Sequence, residues 1–208
     1  PEVSRRTLPA LTRQRLAAAT EEGELRLALV AWRRHRLAER RPLECSAPLC
    51  FATDGVTHPA RTGLMSDVLD KLRGVRAHIA VFPELSLDDS EFAELQQLLA
   101  TDTRRYPTLV VCGRGHRPNG ERHVNEAVVL DAGGRELLKH HKMEPYQLPP
   151  AHGGLLEDIL PASKVPYSYL DTPVGRLVVN ICRDVRSDVP MVLNRLLGAT
   201  LLVAPCLS

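Results

Sequence analysis

Six short apolar runs with a β-branched bias, each bounded by turn-forming residues, constrain this chain more than any other feature. They lie at residues 25–32, 78–82, 108–112, 125–130, 176–182 and 200–203, and their length and composition predict strands. Helical patterns stand between some of them, at 66–72, at 90–99 and at about 189–197. In the second of these, Phe92, Leu95, Leu98 and Leu99 share one face, and Asp88 or Ser90 is placed to cap the start. Ala132-Gly133-Gly134 and Pro173-Val174-Gly175 read as tight turns joining antiparallel strands, because glycine supplies the positive φ such turns need. Strand–helix–strand units mixed with hairpins predict an α/β domain whose mixed sheet is buried under helices. The segment 143–167, rich in Pro and Gly, is long for a plain connection and is expected to form a lid or binding loop.

A composition of 44% hydrophobic and 25% charged residues over 208 positions supports one ordinary core and excludes disordered and collagen-like chains. No apolar run approaches the roughly 20 residues that span a bilayer, and the Arg-rich start lacks a signal-peptide apolar stretch. The expected location is the cytoplasm, with no membrane partner. Five cysteines, an odd number, are expected to be reduced thiols. Cys45 and Cys50 form one close pair with no second pair or His-x-x-x-His partner downstream, so no zinc site is expected. Residues 1–42 carry ten arginines against five glutamates, which leaves the rest of the chain net acidic. Arg33, Arg34, Arg36, Arg40 and Arg41 come without interleaved aromatics other than Trp32 and without a base-reading motif, which predicts a solvated or partner-facing helix. The start at Pro1, without a Met, is what a processed product or a piece of a longer chain would show.

Three reactive side chains fall at the ends of apolar strands, where sheet proteins build their sites: Glu84, Lys142 and Cys182. Taken singly, each has a plain structural explanation as a loop carboxylate, a solvated strand-end lysine or a buried core thiol. Together they form a chemical set. A cysteine nucleophile needs a proton acceptor and a positive neighbour to act near neutral pH, and Glu84 and Lys142 supply both.

In these residues the chain resembles the nitrilase, or carbon–nitrogen hydrolase, superfamily. Val81-Phe82-Pro83-Glu84-Leu85 is similar to its general-base motif, and Gly134 through Lys142 to its catalytic-lysine motif. Gly175 through Arg186 resembles the nucleophile motif, with Cys182-Arg183-Asp184 at its centre, and the 198–205 run resembles the strand that follows. The resemblance implies a four-layer α-β-β-α sandwich, paired into a homodimer or larger complex, with further closing elements that would follow Ser208 and that this chain lacks. It also implies domain bounds, with an Arg-rich segment and first strand at 1–42 and the hydrolase domain at 43–208.

The chemistry implied is hydrolysis of a non-peptide amide or carbamoyl group on a small molecule through a thioester on Cys182. Glu84 would act as base, Lys142 and the Arg183 backbone N–H would hold the oxyanion, and no metal or organic cofactor would be needed. Glu157 resembles an additional family glutamate that orients the lysine, although Glu144 lies closer in sequence. Arg183 replaces a usual aromatic residue and Glu144 a common histidine, so a different substrate polarity is expected. The Cys-x-Asp pattern sides with the amidase and carbamoylase branches. A second reading, from another class, is an assembly or regulatory module within a larger nucleic-acid-associated protein, as in reverse transcriptase–nitrilase fusions of bacterial defence.

Overall fold

The computed structural model describes residues 2–32, 35–40, 50–56, 63–101, 107–119, 122–152, 154–159 and 166–206. Cys45, Arg33, Arg34, Arg41 and part of the 143–167 segment lie outside the described residues. The first half contains β1 (Val3–Arg6), α1 (Ala10–Glu21), β2 (Leu27–Leu29), β3 (His35–Arg40), β4 (Cys50–Val56), α2 (Leu64–Gly74), β5 (Ile79–Val81) and α3 (Asp89–Thr101). The second half adds β6 (Leu109–Gly113), β7 (Arg117–Asn119), β8 (Arg122–Val124), β9 (Glu126–Asp131), β10 (Glu136–His141), β11 (Leu156–Glu157), β12 (Tyr167–Thr172), β13 (Gly175–Val179), α4 (Asp188–Leu197) and β14 (Leu201–Val203).

Two sheets stack face to face, one with strand order β10-β9-β6-β5-β2 and one with order β1-β12-β13-β14. The apolar runs at β5, β6 and β9 are continuous because these three strands of the five-stranded sheet are covered on both sides. Ile79, Val81, Leu109, Val111, Ala127 and Val129 pack against Leu170, Leu177 and Val179 of the second sheet. The alternate residues Ala80, Phe82, Val110, Cys112, Val128 and Leu130 pack with Leu69 and Leu72 of α2 and with Phe92, Leu95 and Leu99 of α3. This period-two division follows from the opposite directions of successive strand side chains.

Helix α4 binds the outer face of the second sheet through a closed amide–phenol ring. Tyr167 Oη donates to Asn194 Oδ1 at 2.6 Å, Asn180 Nδ2 donates to Tyr167 Oη at 2.6 Å, and Asn194 Nδ2 donates to Asn180 Oδ1 at 2.7 Å. The order is therefore helices α2 and α3, sheet, sheet, helix α4, the four-layer sandwich. Of the two candidate caps of α3, Asp88 serves: its Oδ1 accepts Glu91 N at 2.8 Å while Glu91 Oε2 accepts Asp88 N at 3.1 Å.

The described part of the basic stretch is a strand where a helix was expected. Residues 35–40 form β3, antiparallel to β4 from Leu37↔Thr53 to Arg40↔Cys50, and β4 pairs in turn with β11. Backbone pairing with segments distant in sequence decides this conformation, and a local charge pattern carries no trace of it. The segment before residue 42 also enters both main sheets, β1 beside β12 and β2 beside β5. Helix α1 gave no periodic signal because its buried positions are Thr12, Leu16 and Ala19, only one of them strongly apolar. Among the described residues, no helix is long and apolar enough to cross a membrane.

Candidate active site

Glu84 leaves the sheet just after β5, in a tight loop whose next residue, Leu85, has φ +53°. The loop folds onto the end of β6, where Ser86 N and Leu87 N donate to Gly113 O at 3.2 and 3.1 Å. A Cβ at Gly113 would collide with the Pro83 carbonyl, so only glycine permits this approach. Lys142 follows β10, whose register is set by the β9–β10 hairpin. Gly134 has φ +76° there, and a Cβ on it would strike the Gln96 carbonyl of α3. Lys139 lies exposed and pairs with Glu136 at 2.8 Å, whereas Lys142 points inward and is 2% exposed.

The Lys142 ammonium is held between two buried carboxylates. Nζ donates to Glu84 Oε1 at 2.7 Å and to Glu157 Oε2 at 2.6 Å. Asn125 Nδ2 bridges the same two groups, donating to Glu84 Oε1 at 2.8 Å and to Glu157 Oε1 at 2.7 Å. Glu157 further receives Tyr146 N at 2.9 Å and contacts His116 Nε2 at 3.0 Å. Burial works against both charges. The lysine is nevertheless held above its ordinary range by Glu84 and Glu157, and Glu157 is brought down to about 2 by His116, Lys142 and Asn125. Thus Glu157, from the long 143–167 segment, contacts the ammonium. Glu144 instead lines the adjacent cavity and places its N–H 3.0 Å from Asp184 Oδ1.

Cys182 follows β13 at φ +45°, a conformation that few non-glycine residues adopt and that turns its side chain out of the strand. It opens the 3₁₀ turn Cys182–Arg186, in which the Arg183 N–H, at the first turn, has no intrahelical acceptor. Cys182, Arg183, Arg186, Glu144, Tyr146 and Cys206 line a cavity of about 890 Å³. Cys206 lies in the field of the same Glu84 and Lys142 as Cys182. Cys182 is raised above the usual thiol range by its interaction with the Cys206 thiol, then by burial and the Glu84 charge, whereas Cys206 is brought down to about 7 by its interaction with Cys182, against burial and the Glu84 charge.

Asn125, His116 and Cys206 were not singled out from the sequence. Asn125 begins a strand candidate and Cys206 follows one, the same strand-end placement that marked Glu84 and Lys142; His116 carries no such signal. Among the described residues, no group of three or more His, Cys, Asp or Glu side chains is placed to hold a metal ion.

No curated protein matches the chain by sequence. A mutant of the amidase from Nesterenkonia sp. AN1 in complex with butyramide is similar in structure, with a TM-score of 0.57 and 17% identity over 88% of this chain and 65% of that one. Another structure of the Nesterenkonia sp. AN1 amidase shows covalent addition of the acetamide moiety of fluoroacetamide at its active-site cysteine. It aligns with a TM-score of 0.52 and 19% identity over 72% of this chain and 62% of that one. The carbon-nitrogen hydrolase from Helicobacter pylori G27 aligns with a TM-score of 0.52 and 18% identity over 69% and 52%. The chain spans less than two thirds of the length of each of these proteins, and the likeness is one of fold. The carbon-nitrogen hydrolase family matches residues 62–208, a span that holds Glu84, Lys142, Glu157 and Cys182, and the chain belongs to that family.

Proposed function

We propose that this site hydrolyses a non-peptide carbon–nitrogen bond, in an amide or carbamoyl group on a small molecule, through a thioester on Cys182. The observation that carries the reading is the Lys142 ammonium sealed between Glu84 and Glu157 beside a cavity whose wall bears Cys182 on a positive-φ turn. An ion cluster this buried is a costly way to stabilise a fold, and its placement next to a thiol gives it a chemical purpose. The covalent adduct on the cysteine of the Nesterenkonia amidase supports sulfur as the covalent nucleophile in this fold.

The Cys182 proton passes to Glu84 as sulfur attacks the carbonyl carbon. The oxyanion forms against Lys142 Nζ and the Arg183 N–H. Glu84 then protonates the leaving nitrogen, the tetrahedral intermediate collapses to the thioester, and Glu84 deprotonates the water that hydrolyses it. Glu157, braced by Asn125, His116 and Tyr146, holds the lysine in place throughout. A complete set of Glu84, Lys142 and Cys182 favours an enzyme over an assembly module.

The test is ammonia release from short aliphatic amides and carbamoyl compounds, with Cys182→Ala as control, together with intact-mass spectra of Glu84→Gln. Release that depends on Cys182, with an acyl adduct trapped on that residue, is expected. Absence of both across the substrate panel would overturn the assignment.

A further inference from the structure

Cys182 and Cys206 stand at the ends of adjacent parallel strands. β13 and β14 are in register at Leu177↔Leu201, Val178↔Leu202 and Val179↔Val203. Their ladder continues past both strand ends, with Asn180 N donating to Val203 O at 3.1 Å and Cys182 N to Pro205 O at 3.0 Å. In a parallel ladder an N–H bonds the carbonyl that precedes its partner residue, so the partner of Cys182 is Cys206. Parallel neighbours lie about 4.8 Å apart, inside the roughly 4.4–6.8 Å Cα separation that a disulfide accepts. The positive φ of Cys182 re-aims its side chain, and both thiols reach the same cavity. Cys182 is half-buried and Cys206 exposed, whereas Cys112 is buried among the α2 and α3 contacts on the far face of the other sheet.

The hydrolytic reading employs one of these two thiols and gives the other no task. We propose that Cys182 and Cys206 form an oxidisable dithiol, a modification site that a peroxide closes to a disulfide and a thiol reductant reopens. The interaction with Cys182 that brings Cys206 down to about 7, and the greater exposure of Cys206, favour Cys206 as the thiol that loses its proton first. Its sulfur attacks a peroxide oxygen; the S–O bond forms, the O–O bond breaks, and the departing oxygen takes a proton. Cys182 sulfur then attacks the sulfenyl sulfur of Cys206. The S–S bond forms, the S–O bond breaks, and the departing hydroxide takes the Cys182 proton as water. Two thiols are oxidised by two electrons and one peroxide is reduced by two. The disulfide removes Cys182 from any nucleophilic chemistry while protecting it from irreversible oxidation.

The reduced full chain is exposed to one equivalent of hydrogen peroxide, blocked with iodoacetamide and digested with trypsin without reductant. Cleavage after Arg176, Arg183 and Arg195 puts the two thiols on separate peptides, one spanning 177–183 and one beginning at Leu196. The expected product joins these peptides, is lost on treatment with dithiothreitol, and exceeds any other disulfide by at least about tenfold. In Cys206→Ser, with the peroxide raised to several equivalents so that two are reduced per thiol, Cys182 is expected to pass through the sulfenic acid to a sulfinic acid that dithiothreitol does not reverse. Cross-links of either residue to Cys112, or sulfinic Cys182 in the unmutated chain without the expected link, would overturn the proposal. The wild-type cross-link decides the matter even if the variant fails to fold. Because the readout is a peptide mass, failure here leaves the hydrolytic reading standing, and failure of that reading leaves this one standing.

Discussion

His140 Nε2 lies 2.9 Å from Asp184 Oδ2, and both side chains are buried. This hydrogen bond joins the strand that delivers Lys142 to the turn that delivers Cys182. Asp184 Oδ1 adds Met143 N and Glu144 N at 3.0 Å each, and Oδ2 also receives Ile181 N at 3.2 Å. Because β10 and β13 belong to different sheets, Asp184 sets how the lysine and the thiol meet across the sandwich.

Asp184→Ala is expected to lower the free energy of unfolding by about 3–5 kcal/mol, since the buried Ile181 N–H, the half-buried Met143 and Glu144 N–H groups and His140 lose their acceptor together. Turnover should vanish in the folded fraction as well. Asp184→Asn keeps one carbonyl oxygen and should lose less stability. Urea unfolding and amide hydrolysis measure the two effects separately, and an unfolding midpoint unchanged in Asp184→Ala would disprove the bracing role.

Substitution of Lys142 by Ala should lower kcat roughly 10²- to 10³-fold, the effect of removing one oxyanion donor. It should also cost about 3–5 kcal/mol of stability, because Glu84 and Glu157 would stay buried without their shared cation. Lys139→Ala should change stability by no more than about 0.5 kcal/mol, since its pair with Glu136 lies at the surface. Equal losses from the two substitutions would refute the register of β10.

Acid should weaken the fold in a defined window. Glu157 and Glu126 are both brought from an ordinary 4.5 down to about 2. In Glu126, burial acts upward but is outweighed by His141, Lys139 and Arg114. A carboxylate whose folded pKa is lowered stabilises the protein above its unfolded pKa and loses that contribution as pH falls from about 4.5 towards 2, on the order of 3 kcal/mol for each buried group. Urea midpoints measured across this range should drop, and Glu157→Gln should flatten the profile. An equally steep profile in the variant would remove Glu157 from the account.

Association should follow from the surface of α4. Val189, Val192 and Leu196 are exposed at helical spacing, Leu196 at 77%, and an apolar face of this kind marks a contact surface. A homodimer or larger complex is expected, with Leu196→Asp lowering the mass seen by light scattering while the unfolding midpoint holds. The apolar seam should resist salt, whereas a contact made by the Arg-rich segment would weaken with it. A wild-type monomer at micromolar concentration in all salts would contradict the expectation.

Which segments become the central strands is legible in the order of the amino acids alone. In β5, β6 and β9 both faces are covered, so the central residues of each had to be apolar, and that requirement is written locally within 78–82, 108–112 and 125–130. The same local signal marked Glu84, Lys142 and Cys182 as strand-end residues, and glycines at 113 and 134 are where the chain must approach itself closely. Which strands become neighbours, and in what register, depends on the packing of the whole molecule. Asn125 joins Glu84 to Glu157 because β9 stands in the same sheet as β5 and because the 143–167 segment folds back. Cys206 meets Cys182 because β14 pairs with β13 three residues earlier, and the charged run at 35–40 is a strand because β4 accepts it. Burial of a side chain leaves a periodic record in its own segment, whereas strand order and register come from long-range pairings whose energy is shared over the whole molecule, and no single segment records them.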